Sequence, residues 1–467
     1  MDILLFWLRP KRRCQFLSQI LRGRVSFPGS TTYESEQLYW SLQQAEVHPE
    51  CRVTPISAED VSTTIQVLKS QGCQFAVKSG GHACFSGASN IENAVVIDLS
   101  NLDQINISSD KTEVFVGAGT LWSNLYPIMD AAKIGVIGGR VVGIGVGGLT
   151  LGGGISFHSG RYGFACDNVN NYQVVLANGS ICDVNQTSYP GLYWALRGGG
   201  NNFGIVTRFD LASFEQGDMW GGTTTSNATE LPNAIEALVN LNTNHASDTF
   251  AAVFLVYVYV PSIESPLVSF TLDYGKPVIN PPIFENFTEI PAISADLRIA
   301  SLTSLINGTE ESQPSGLRES YWTLTILNDA DLINEISKIF DQELQNIRNA
   351  TNLLPALVFQ PISEPMISHF SKNGGNALVI NIAIQWTDIT DDIRVIAFAE
   401  ICVARSTTLA KERNLWHRFL YQNYAALQQD VFPSYGKENH ERLVEFSKKY
   451  DPDGVFVRLQ PGYFKVY

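Results

Sequence analysis

Glycine constrains this chain more than any other residue, because it falls in clusters rather than evenly. Lys78-Ser79-Gly80-Gly81-His82 follows a short apolar segment, Phe75-Ala76-Val77, and Gly87 comes soon after. A second tract fills residues 135–163, with Gly143, Gly145, Gly147, Gly148 and then Gly152-Gly153-Gly154. A third runs from Arg197 to Gly204. Adjacent glycines let a backbone turn tightly and approach a ligand closely, since no Cβ is in the way. Successive N–H groups in such a turn make a nest that favours phosphate oxygens. A histidine directly after the glycines sets a nucleophilic imidazole beside whatever the loop holds. Taken alone, the pentapeptide fits a plain turn with a chance histidine equally well; the other tracts move the reading toward a ligand.

The second tract holds a formal G-x-G-x-x-G match at Gly143, Gly145 and Gly148. A dinucleotide fingerprint must open a real helix, and Gly152-Gly153-Gly154 would break one. We read the tract instead as extended backbone lying along a large ligand. A nicotinamide enzyme of the doubly wound type is then the least suitable reading.

Around these tracts the period of the apolar residues predicts the elements. A helix opens at Ala58-Glu59-Asp60-Val61 and ends at Gly72. Strands are expected at 75–78, 94–99, 114–116 and 205–211, with a hairpin over 172–181 turning on Asn178-Gly179. Thr120 is a suitable cap for a helix from Leu121 to Ala132. After about Gly217 the glycine tracts stop. Helices at 231–245, 330–349 and 390–411 then alternate with strands at 250–260, 267–274, 320–327, 355–360 and 377–386, the pattern of an antiparallel sheet covered by helices. In the last strand Leu378, Ile380, Ile382, Ile384 and Trp386 share the face expected to meet the helices. Val379, Asn381, Ala383 and Gln385 share the other face, which either lines a pocket or is a solvated back face. A helix near 437–450 follows an aromatic stretch at 416–424.

At 467 residues the chain exceeds what one core usually supports. The formal net charge of −14 argues against a nucleic-acid surface. No apolar run approaches the ~20 residues of a membrane span, and without a CxxC pair no zinc ribbon or other metal site is expected. The start is unusual: apolar residues 2–8 precede the basic cluster Arg9, Lys11, Arg12 and Arg13, the reverse of a secretory signal. Residues 1–37 read as a poorly ordered leader. Seven cysteines cannot all pair internally, and seven Asn-x-Ser/Thr sequons permit a secretory, glycosylated route without proving it.

Taken in order, these features resemble the berberine-bridge-enzyme-like branch of the vanillyl-alcohol-oxidase-type flavoproteins, in its fungal secondary-metabolism form. The resemblance rests on Ser-Gly-Gly-His at 79–82, Gly-Ala-Gly at 117–119, the glycines of 145–154, Arg-Tyr-Gly with Asp-Asn at 161–168, Gly-Gly-Gly-Asn-Asn-Phe-Gly-Ile-Val-Thr at 198–207, Tyr-x-Asn at 421–423 and the closing Lys-Tyr-Asp-Pro-x-Gly-Val-Phe at 449–456. It implies an α+β chain with a two-lobed FAD-binding domain of the PCMH type over 38–215. A substrate domain with an antiparallel sheet flanked by helices would occupy 216–411, and a segment returning to the FAD domain would occupy 412–467.

The resemblance implies FAD held along Ser79, Gly80, Gly81, His82, Gly145, Gly147, Gly148, Gly153, Asp167, Asn168, Gly204, Val206 and Asn423. His82 would carry an 8α-N1-histidyl bond to the flavin. Some relatives add a second bond through a cysteine where this chain has Val141, so one covalent bond is expected. Cys51 and Cys73 match positions often paired in relatives, with buried free thiols as the alternative. That pair and the sequons suit secretion, whereas the missing signal leaves a cytoplasmic location open.

The family reaction moves a hydride from substrate to flavin and a proton to a base, with O2 as acceptor. Tyr421 matches the family's active-site tyrosine. As a base its phenol, with an ordinary pKa of about 10, would have to be lowered by charge or hydrogen bonds. Some relatives keep an acid on a substrate-lobe strand, and the inward face of 377–386 carries none. His158 could touch the site, and Ile144 lies near the position that gates oxygen, which leaves oxidase against dehydrogenase open. Two other readings remain: a redox-neutral cyclase or isomerase, and a flavin-storing protein. A small-molecule substrate is expected; its identity and the oligomeric state are not read from the sequence.

Overall fold

The computed structural model describes residues 13–308, 314–367 and 376–467. Its first sheet contains β1 (Val25–Ser26), β2 (Cys51–Val53), β3 (Phe75–Lys78) and β4 (Val95–Asp98) in the order β1-β2-β4-β3, with β2, β4 and β3 parallel. Helix Ala58–Ser70 makes the crossover from β2 to β3. Ser57 caps it by accepting the Asp60 N–H, Glu59 and Asp60 load its first turn with negative charge, and Val61, Ile65 and Leu68 face inward. β3 delivers the chain directly into Ser79-Gly80-Gly81-His82.

Two expectations fail in this lobe. From residue 13 onward the stretch read as a poorly ordered leader is ordered. Residues 13–20 form a helix with Leu17 buried, β1 pairs with β2, and a helix spans Thr31–Glu36. Residues 1–12 lie outside the described residues. Cys51 pairs with Cys14, and Cys73 is a buried free thiol. The topology explains this. Cys51 and Phe75 face Val95 from opposite sides of β4, so two strand spacings of about 4.8 Å separate Cys51 from the start of β3, beyond a disulfide's reach.

The second sheet holds β5 (Ile105–Ile107), β6 (Glu113–Gly117), β7 (Ile134–Val136), β8 (Val169–Val175), β9 (Ile181–Asn185) and β10 (Ile205–Glu215). Its order is β5-β6-β10-β8-β9, with β7 on the far end of β10. The hairpin β8–β9 turns at Gly179, whose φ is +83°. Thr120 is not the cap expected: the helix is Trp122–Ala132 and its N-cap is Leu121. The Thr120 carbonyl accepts the Val146 N–H and the Ile144 carbonyl accepts the Trp122 N–H, so Leu121 and Gly145 form a β-bridge. The second glycine tract is also not wholly extended. Residues Val146–Leu151 form a short helix that stops at Gly152.

The third sheet is antiparallel and eight-stranded: β11 (Met219–Asn227), β12 (Ala251–Val260), β13 (Ser265–Tyr274), β14 (Ser294–Ala300), β15 (Arg318–Leu327), β16 (Leu354–Ile362), β17 (Ala377–Trp386) and β18 (Trp416–His417). Their order is β14-β11-β13-β12-β16-β17-β15-β18. β11 and β14 were not anticipated; β11 is rich in Thr and Gly, and β14 is a largely exposed edge without an alternating pattern. Helices Leu231–Asn244, Ala330–Leu344 and Asp392–Glu412 bury one face of this sheet. Leu378, Ile380, Ile382, Ile384 and Trp386 lie in that core, as their alternation requires. A separate core joins the first two sheets, and Val431, Phe432, Leu443, Phe456 and Phe464 of the carboxyl-terminal segment pack into it. Among the described residues no helix is long and apolar enough to cross a membrane.

Candidate active site

The free face of the third sheet and the glycine loops of the other two enclose one cavity of about 700 Å³. On the loop side the chain comes into backbone contact with itself. A Cβ on Gly80 would lie 2.4 Å from the Gly145 nitrogen, and one on Gly145 would lie 2.4 Å from the Gly80 nitrogen. Ser79 Oγ donates to the Ala118 carbonyl at 2.6 Å, tying the first loop to the end of β6. Gln44 Nε2 donates to the carbonyls of Gly81 and Ala83, and Ser41 Oγ donates to Ala83 as well. The loop's carbonyls are therefore held from behind. The N–H groups of Gly80, Gly81 and His82 find no partner among the described residues, and these residues line the cavity. This is a built nest for an anion such as a pyrophosphate.

His82 stacks on Trp40, with ring centroids 3.9 Å apart and planes 12° from parallel. Burial pushes its pKa down to about 4, so the imidazole is neutral near pH 7. Trp40 in turn meets Tyr321 of β15 at 5.7 Å. Val141 and Ile144 also line the cavity.

Also on the cavity, Tyr421 is buried with two donors on its oxygen: the Ile155 N–H at 3.0 Å and Asn423 Nδ2 at 3.1 Å. Both lone pairs are engaged, so the phenol's own proton must point elsewhere. Burial raises the phenol pKa, with Tyr424 adding to the rise. The two donors and the Arg140 charge oppose it without reversing it. Tyr421 is thus a protonated phenol at neutral pH, in a socket that would also stabilise its anion. Asn423 Nδ2 donates to the Leu149 carbonyl as well, and its amide lies where a Cβ on Gly152 would be, 2.0 Å from Oδ1.

The sheet side can be read in rows across the strands. Thr271, Phe254, Gln360 and Val379 align in one row; Val260, Leu354, Gln385 and Glu319 align in another. Gln385 and Val379 are six residues apart on β17, so these rows stand about 20 Å apart. Asn381, Ala383 and Gln385 line the cavity as their alternation predicts. The acid missing from that face is present one strand over. Glu319, across from Gln385, lines the cavity at 2% exposure, and among the described residues neither carboxyl oxygen makes a well-formed hydrogen bond. Burial raises its pKa to about 9, the Gln385 amide lowering it only in part.

Ser79, Gly80, Gly81, His82, Gly145, Gly147, Gly148, Gly204, Val206, Tyr421 and Asn423 all line this cavity. Gly153, Asp167 and Asn168 stand outside it, so the structure does not place these three where the resemblance put them. Gly153 packs behind Tyr421, and its Cβ would lie 3.4 Å from the ring. Asp167 pairs with Arg197 and accepts the Phe164 N–H. Asn168 donates to the carbonyls of Tyr162 and Phe164. These side chains hold the loop that carries Cys166, itself buried away from the cavity. His158 is also off the site, edge-on to Phe214 at 5.1 Å. Trp40, Arg140 and Glu319 went unnoticed in the sequence, where none belongs to a motif. Only the position of Glu319 in a strand beside the 377–386 strand could have signalled it.

The FAD binding domain family matches residues 49–185. A protein named as an FAD-dependent monooxygenase of Fusarium proliferatum is 37% identical over 458 residues, covering 93% of this chain and 88% of the relative. Among solved structures, 6-hydroxy-D-nicotine oxidase from Arthrobacter nicotinovorans superposes with a TM-score of 0.79 at 19% identity, over 93% of this chain and 96% of that one. A variant of berberine bridge enzyme in complex with (S)-reticuline gives 0.76 at 17% identity, over 96% and 97%. These structures share the fold. A cavity that sets a neutral histidine beside a nest of free N–H groups is suited to a dinucleotide with a reactive ring.

Proposed function

The chain belongs to the berberine-bridge-like family of FAD-dependent oxidoreductases, and on that premise we propose that it is an oxidase of a small organic metabolite in fungal secondary metabolism, with its flavin tethered once, through His82, and O2 as the final acceptor. The observation that carries this reading is that His82 with the nest and the socketed phenol of Tyr421 line one cavity. Bound FAD would supply the hydride acceptor. Gly80, Gly81 and His82 would hold its phosphates through backbone N–H groups, and Trp40 would fix the His82 ring by stacking. Val141 offers no thiol for a second bond.

Tyr421 positions the substrate by donating its one free proton to the substrate heteroatom. To take the proton that the heteroatom loses on oxidation, Tyr421 must first give up its own to solvent, and the Ile155 N–H and the Asn423 amide would stabilise the phenolate that then accepts it.

Two measurements test this. Acid-denatured wild type should keep its yellow colour in the protein pellet, and His82→Ala should release or lose the flavin; free wild-type flavin overturns the tether. Anaerobic addition of substrate should bleach the flavin, and air should restore it with one H2O2 per turnover. Bleaching without H2O2, with oxygen found in the product, would favour the monooxygenase chemistry that the Fusarium relative's name describes. No bleaching would favour redox-neutral turnover.

A further inference from the structure

Arg140 lines the cavity, and it is an expensive residue to keep there. The sheet wall of that cavity mixes apolar residues such as Val256, Val258, Ala356 and Val358 with a few polar ones. Its guanidinium lies 5.5 Å from the Phe254 ring centroid. It spends a single nitrogen, Nη2, on two neutral acceptors, Gln360 Oε1 and the Tyr424 hydroxyl. Nε and Nη1 make no hydrogen bond, and Arg140 forms no ion pair among the described residues.

The nearby acid does not balance it. Asp273 is 1% exposed with both oxygens unpaired, and burial raises its carboxyl to about 8 despite the pull of Arg140. At neutral pH it is mostly uncharged. Tyr421 and Tyr126 also feel Arg140, and burial raises both phenols, so neither supplies a countercharge. Tyr126 is spent on the Gly139 carbonyl. A half-buried guanidinium without an anion costs free energy that a charged ligand would recover.

We propose that Arg140 reads an oxyanion on the substrate, so that this site takes organic acids: carboxylates, or acidic phenols and enols that ionise near neutrality. Nε and Nη1 donate to the oxyanion, Gln360 and Tyr424 hold the guanidinium in place, and the apolar body of the substrate lies along β12, β16 and β17. This deepens the oxidase reading by naming its substrate class and rests on the same cavity.

The test is binding, read without turnover. Purified holoenzyme is titrated with 2-naphthoate and with its neutral counterpart 2-naphthamide, following the visible flavin spectrum. Wild type should hold the acid at least about tenfold more tightly than the amide, as a desolvated charge-assisted contact requires. In Arg140→Met that preference should fall to within about twofold, with amide affinity and flavin content unchanged. Arg140→Lys, which keeps the charge, should keep a preference for the acid. Equal affinity for the two compounds in wild type, no detectable binding of the acid, or a preference that survives in Arg140→Met overturns the proposal. So does an equal weakening of both compounds in Arg140→Met, which would assign Arg140 to the cofactor. Bleaching is not read here, so failure of the oxidase reading and failure of this one are separate results.

Discussion

Replacing Glu319 with Gln should stabilise the protein, and increasingly so as the pH rises. Glu319 is 2% exposed, and burial raises its pKa from 4.5 to about 9. Between those values the unfolded chain carries an ionised Glu319 while the folded protein keeps the proton. The sign follows: stability is fullest below pH 4.5 and is lost as the pH climbs toward 9. At ~1.4 kcal/mol per pKa unit, the ceiling on this loss between pH 4.5 and 7.5 is ~4 kcal/mol. Water reaching the carboxyl through the cavity lowers it to about 2 kcal/mol. An amide of the same shape takes no part in the titration. The assay is Tm at a fixed scan rate for both proteins from pH 5 to 8. For a lobe of this size the gap should widen in favour of Glu319→Gln by roughly 4–8 °C across that range. A constant offset, or a gap that moves toward wild type at alkaline pH, would refute the buried, proton-bearing carboxyl.

Four further outcomes follow from the geometry. Tyr421→Phe should cut turnover by about 100-fold while leaving the flavin spectrum nearly intact; unchanged turnover in a steady-state assay would remove Tyr421 from the proton chemistry. Gly152→Ala sets a Cβ 2.0 Å from Asn423 Oδ1, so it should lower turnover with flavin content preserved; full activity would show that the Asn423 contact is dispensable. Without reductant, the denatured protein should show five titratable thiols, and Cys73→Ala four. Cys14→Ser should cost about 3–4 kcal/mol, because it opens a loop with a sequence separation of 37; an unchanged denaturation midpoint would mean the bridge does not form.

Much of the fold was legible because its signals are local. The helix at Ala58–Ser70 announces itself through its acidic opening turn and an apolar stripe. In the 377–386 strand the alternation holds for the core face and for Asn381, Ala383 and Gln385, which line the cavity, while Val379 is buried in a small cluster with Tyr421 instead. The failures came where long-range contacts override local preference. Thr120 loses its capping role because its carbonyl is drawn into the bridge with the 143–146 loop. Cys73 loses its expected partner because β4 lies between β3 and β2. Asp167 and Asn168 sit in a motif of the right spacing, yet their side chains turn inward to hold the loop.

The sequence by itself determined the glycine loops, the histidine that follows them and, through both, the flavin fold, since two backbones so close that an added Cβ would lie 2.4 Å from a nitrogen permit no side chain. Only the tertiary structure decided what the flavin's neighbours are. Glu319 enters the cavity through the register of β15 on β17, and Arg140 through its hold on Gln360 and Tyr424, partners more than 200 residues away in the chain. A charge acquires its cost, and so its purpose, from what surrounds it, and those surroundings exist only once the two lobes have closed on one cavity.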